Sequence, residues 1–79
     1  MNKYQSYLYD VGLDLKERAL KAKEERDAAP PGSEDRTFHS GRVMGFNEAI
    51  SIIQQNAQGL EISLAELRLD DIDPDRDLV

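Results

Sequence analysis

The chain has 79 residues, a net charge of −6, 39% hydrophobic and 33% charged side chains, and no cysteine. That length holds one domain with a marginal core, and the composition is helical and globular rather than disordered. Lack of cysteine excludes disulfides, a thiolate nucleophile and cysteine-ligated zinc, and no stretch reaches the ~20 apolar residues of a membrane span.

The first helix is predicted over residues 2–29. Tyr4, Leu8, Val11, Leu15, Ala19 and Ala22 recur at spacings of 4, 3, 4, 4 and 3, one stripe at about 100° per residue. Tyr4 is expected in the core, with Tyr7 and Tyr9 on its margins. Asp14 with Arg18 and Glu17 with Lys21 are acid-before-base pairs four residues apart, the favourable order on an exposed face. Pro30-Pro31-Gly32 ends the helix, because neither proline can donate to its ladder.

Residues 30–33 form the turn. Ser33 is the predicted N-cap of the second helix, and Glu34 and Asp35 sit where the helix dipole favours negative charge. This helix is predicted over 34–58, with Gly59 as its C-terminal cap. Its seam is Val43, Phe46, Ile50, Ile53, Ala57 and Leu60, at spacings of 3, 4, 3, 4 and 3. So short a turn returns the second helix antiparallel to the first.

Beside the seam lies a second strip: Phe38, Gly41, Gly45, Ala49 and Ile52. Seam and strip together cover about 200° of the wheel and leave Asn47, Ser51, Gln54, Gln55 and Gln58 for solvent. Such a helix has two surfaces to bury, and the first helix covers only one. Interior glycine costs up to about 1 kcal/mol relative to alanine, so the strip implies a packing purpose. Its occupant is Tyr4, Tyr7 or Leu8 of the first helix or the same helix of a second chain; the remaining alternative is that the small residues have no special role.

Ser63-Leu64-Ala65-Glu66 fits a capping box with Ile62 and Leu67 as its hydrophobic staple, predicting a short helix over 64–69. Tyr9, Leu13 and Leu20, opposite the main stripe of the first helix, are expected to receive Leu64, Leu67 and Leu69 of the same chain or of a second one. Residues 70–79 show no period and read as an extended acidic tail that Ile72 or Leu78 could pin. Residues 61–79 carry seven acidic and two basic side chains, whereas residues 1–29 balance at six and six. Asp70, Asp71, Asp73, Asp75 and Asp77 are therefore the candidate face for a basic protein partner. No basic cluster exists to hold phosphates, so direct nucleic-acid binding is not expected. A helix-turn-helix reader fails similarly, since its recognition element would hold Glu66 and Asp70 against Arg68 alone.

Candidate chemistry is sparse. His39 and Ser40 are adjacent, so on a helix they point about 100° apart and form no nucleophile–base pair. Alternate aspartates from Asp71 resemble the start of a calcium loop, but the sixth position is Arg76 and the chain ends before the twelfth. Glu48 borders the small-residue strip and could enter an interhelical salt bridge with Arg42 or Arg18. A ferritin-like metal site would need Glu-x-x-His, which is absent. No catalytic, cofactor-binding or metal-ligating residue is assigned, and no enzyme activity is expected. No motif of a family of known activity is present; the resemblance stops at the generic helical hairpin.

The sequence thus predicts an all-α protein: a long antiparallel helical hairpin plus a short third helix over residues 1–69, with a tail at 70–79. Pairing through Phe38, Gly41, Gly45, Ala49 and Ile52 into a four-helix-bundle-like homodimer is expected. The expected role is a non-enzymatic interaction protein that also meets a basic partner. The alternatives are a helical subunit of a larger hetero-complex, and a carboxylate metal or small-molecule site around Glu48. Without a membrane span or a secretory leader pattern at Met1-Asn2-Lys3-Tyr4-Gln5, a cytoplasmic location is expected.

Overall fold

In the computed structural model, which describes residues 1–79, Asn2 starts α1 (Lys3–Ala28) through a reciprocal capping pair. Its side chain accepts from the Gln5 amide at 2.9 Å, while Gln5 Oε1 accepts from the Asn2 amide at 2.8 Å. Two orphan donors of the first turn are thereby satisfied. After the proline pair, Gly32 adopts φ +81°, a left-handed value that glycine takes without Cβ strain. Ser33 Oγ then accepts from the Arg36 amide at 3.1 Å and opens α2 (Glu34–Gly59). Arg36 Nη1 donates to the Ala29 carbonyl at 3.2 Å, tying the end of one helix to the start of the next.

The two helices form the expected antiparallel hairpin, 45 Å in its longest dimension. Val43, Ile50 and Ala57 of the seam are buried against Ala19 and Ala22, and Phe46 and Ile53 pack beside them. Leu60, predicted as the last seam residue, is exposed because α2 has already ended.

That end differs from the prediction. Gly59 remains inside the last helical turn, Leu60 is the cap, and the left-handed residue is Glu61 at φ 58°. Ile62 donates to the Ala57 carbonyl at 2.7 Å and Glu61 to the Gln58 carbonyl at 3.1 Å. These are the two bonds of a Schellman motif. The turn falls at Glu61 because Ile62 and Leu64 must come back onto the core. Ser63 and Glu66 make the predicted capping box, but the element is a single 3-10 turn, Leu64–Leu67. Arg68, at φ 57°, stops it two residues earlier than predicted. Leu69 thereby turns inward, donating to the Leu64 carbonyl at 3.0 Å.

Residues 69–79 are not an extended tail. They pack as a strap along the groove between α1 and α2, parallel to α1 and antiparallel to α2, with one helical turn, α3 (Pro74–Asp77). Four of the nine buried apolar side chains lie beyond residue 60: Leu67, Leu69, Ile72 and Leu78. The boundary predicted at residue 69 therefore cuts through the core.

Two amides hold the strap. Gln54 Nε2 donates to the carbonyls of Leu69 (3.1 Å) and Ile72 (2.9 Å). Asn47 Nδ2 donates to those of Pro74 (2.8 Å) and Leu78 (3.1 Å). From α1, Lys16 pairs with Asp71 at 3.0 Å, Lys23 Nζ reaches the Asp77 carbonyl at 2.8 Å and Arg26 the Val79 oxygen at 3.0 Å. Outside the single turn of α3 the strap has no ladder of its own, so donors from its neighbours complete its backbone bonding. Asn47 and Gln54, assigned to solvent by the wheel, are the residues that supply them.

Gly12 sets where the 3-10 turn crosses α1. A Cβ there would lie 1.7 Å from the Leu67 carbonyl oxygen, so only glycine permits this crossing. Tyr4, expected in the core, lies on the first turn of α1 and is 70% exposed. Tyr9 takes a hydrogen bond from Arg68, whose guanidinium also lies over the ring. Leu13 is half-buried, and Leu20 is 45% exposed.

Candidate functional site: the outer face of α2

With α1 covering one side of α2 and the strap another, the remaining third of the helix faces outward. It carries Phe38, Gly41, Met44, Gly45, Glu48 and Ile52, all exposed. Phe38, Met44 and Ile52 are 64%, 65% and 59% exposed. Nothing lies within 4 Å of the positions a Cβ would take at Gly41 or Gly45. Tyr4, Tyr7 and Leu8 therefore do not fill the small-residue positions. Ala49, on the edge toward α1, is half-buried. Met44 was missed by the sequence pattern because it lies on the opposite edge, outside the run of three- and four-residue steps.

Glu48 is the one ionisable side chain on this face between Phe38 and Ile52, and it makes no ion pair. The interhelical salt bridge expected of Arg42 exists with a different carboxylate: Nη1 donates to Glu25 Oε2 at 2.7 Å. The same nitrogen is 2.9 Å from His39 Nδ1, which acts as acceptor because a guanidinium can only donate. The Arg42 bond holds the Glu25 carboxyl below its ordinary value. His39 is thus engaged structurally, and its bonded nitrogen faces arginine rather than Ser40. Arg18, with Lys21 and Asp14, lines a shallow charged groove beside this pair.

The five aspartates have diverged in role. Asp71 pairs with Lys16, whose ammonium lowers its pKa. Asp73 caps α3 by accepting from the Asp75 amide at 3.0 Å. Asp77 accepts from Arg76 at 2.8 Å and from the Asp73 amide at 2.9 Å, and is held well below the usual carboxylate range. Asp70 and Asp75 are exposed, and their carboxylates make no ion pair. No group of three potential metal ligands comes together, and no helix is long and apolar enough to cross a membrane.

No known family model, curated protein or solved structure matches this chain. Its functional reading therefore stands on its own geometry.

A second apolar feature lies at the open end of the hairpin, where sequence reasoning placed none. A cleft of about 570 Å³ opens between the first turns of α1 and the 3-10 turn. Met1, Leu8, Ile62 and Leu67 form its apolar walls, with Gln5 and Glu66 at polar positions. Both polar side chains already cap their own turns.

Proposed function

We propose that this protein is a non-enzymatic interaction protein that self-associates as a homodimer through the outer face of α2. The observation that carries this reading is the exposure of Phe38, Met44 and Ile52 around two glycines with open space above them. An apolar helix face left open after every other element has packed marks an association surface. A small chain also gains most from association, since its own core is marginal.

Light scattering over a concentration series tests it. The mass is expected to rise from that of one chain, 8.9 kDa, toward twice that value. Ile52→Glu, on an exposed position, is expected to hold it at one chain while helicity stays unchanged. A mass fixed at one chain up to about millimolar concentration, the regime of the weakest specific binding, removes the homodimer. The outer face is then left to a different protein, as in a hetero-complex.

A basic partner is the second reading, and the exposed, unpaired Asp70 and Asp75 favour it. Replacing both by asparagine is expected to weaken capture of a cationic protein at low salt, where surface charge acts over the longest range.

A further inference from the structure

Resting on the self-association just proposed, we infer that the second copy lies antiparallel, α2 on α2, about a twofold axis at Gly45. Phe38, Gly41, Gly45, Ala49 and Ile52 are separated by 3, 4, 4 and 3 residues, a spacing that is its own reverse. Bulky side chains stand at both ends and small ones in the middle. A twofold contact requires a patch complementary to itself. With the axis at Gly45, Phe38 falls opposite the partner's Ile52, Gly41 opposite the partner's Ala49, and Gly45 on itself. Close approach at the glycine crossing and divergence away from it leave room for the bulky ends. Helix axes ordinarily pack about 8–10 Å apart, and small residues permit the lower end of that range.

Charge selects this direction over a parallel pair. Parallel packing would gather Glu34 and Asp35 of both copies at one end, beside two like helix dipoles. Antiparallel packing sets them opposite the partner's Asn56 and Gln55, both neutral and exposed. The two Glu48 residues then sit about 9 Å apart along the axis, at ~1.5 Å per residue, which is close to the Debye length of about 8–10 Å at physiological salt. Area sets the strength. A 26-residue helix presents a strip of roughly 39 by 10 Å, so the pair buries on the order of 800 Å². That is below the ~1,200 Å² of a standard stable interface, so the dimer belongs to the weak, reversible class.

The chain has no cysteine, so introduced thiols report only their own positions. Gly41→Cys mixed with Ala49→Cys is expected to form a disulfide dimer at least tenfold faster than Gly41→Cys alone. Two copies of position 41 lie about 12 Å apart along an antiparallel axis, beyond the ~7 Å Cα separation a disulfide spans. Gly45→Cys is expected to link to itself, and Glu24→Cys, exposed on α1, gives the rate of random collision. Preferential self-linking of Gly41→Cys overturns the antiparallel register while leaving self-association intact. Linking at the collision rate everywhere, with the mass still doubling, moves the dimer to another face and overturns the inference. A mass that never rises removes the parent reading along with it.

Discussion

The two free sides of α2 reverse the usual rule of polarity. Asn47 and Gln54 lie on a side that reads as solvent, yet the strap covers them and each donates two hydrogen bonds to it. Phe38, Met44 and Ile52 lie on a side that reads as apolar, and water covers them. The difference comes from what each neighbour needs. A strap with irregular backbone requires donors, so polar residues serve it better than leucines would. A regular helix satisfies its own backbone, so docking a second helix on the outer face would need only shape and apolarity.

Glycine gives the largest contrast between a closed and an open surface. Gly12 touches the Leu67 carbonyl, and its Cβ would be 1.7 Å from that oxygen. Gly12→Ala is expected to displace the 3-10 turn and with it Leu67 and Leu69, costing about 3 kcal/mol, the upper end of the usual range for overpacking. Chemical denaturation measures this directly. A loss under about 1 kcal/mol, the scale of ordinary helix propensity, would show that the crossing is loose. At the strap, Gln54→Ala leaves the Leu69 and Ile72 carbonyls without a donor, and Asn47→Ala leaves that of Leu78, while the Pro74 carbonyl keeps the Leu78 amide. Each is expected to lose about 1–3 kcal/mol, whereas Gln55→Ala, on the exposed side, is expected to lose almost nothing.

The open side inverts the sign. Gly45 meets no atom within 4 Å, so Gly45→Ala is expected to stabilise the single chain by up to about 1 kcal/mol through helix propensity. The measurement belongs in dilute solution, where the chain is unassociated. Repeated at high concentration, the same variant is expected to associate less, because two added methyl groups separate the helices at their closest point. Stabilisation at both concentrations would place the contact elsewhere.

These contrasts also explain what was legible in the residues. The hairpin was, because Val43, Phe46, Ile50, Ile53 and Ala57 repeat with helical period and Pro30-Pro31-Gly32 punctuates them. The Ser63–Glu66 box was legible too, since capping chemistry is local. The strap was not. Its apolar residues, Leu69, Ile72 and Leu78, follow no period, and its docking depends on amides that are indistinguishable from surface residues in sequence. Gly12 carried a usable signal: the argument that interior glycine needs a packing reason applies to it as well as to Gly41 and Gly45. The Glu61 turn carried none, because the position of a left-handed residue was decided by where Ile62 and Leu64 had to go.

Acidity should separate the two sides with the smallest effect. Lys16 lowers the pKa of Asp71, and Arg76 that of Asp77, both on the strap. A carboxyl whose pKa is lower in the folded than in the unfolded state adds stability above its unfolded value and loses it as pH falls through the folded one. The strap is therefore expected to loosen progressively below about pH 4, the unperturbed aspartate value. The effect is modest, because exposed pairs are screened by solvent. Hydrogen exchange at Leu69–Leu78, corrected for its intrinsic pH dependence, follows the loosening residue by residue. Asp71→Asn removes the Lys16 pair at every pH. Its strap is expected to exchange faster than wild type near neutrality, with the difference shrinking as Asp71 protonates in acid. Amides at Val43–Ile53 of α2 are expected to keep their protection throughout, since the Lys16–Asp71 and Arg76–Asp77 pairs lie outside that segment. Equal strap protection in the two proteins at pH 6 would mean that the Gln54 and Asn47 amides hold the strap without the ion pair.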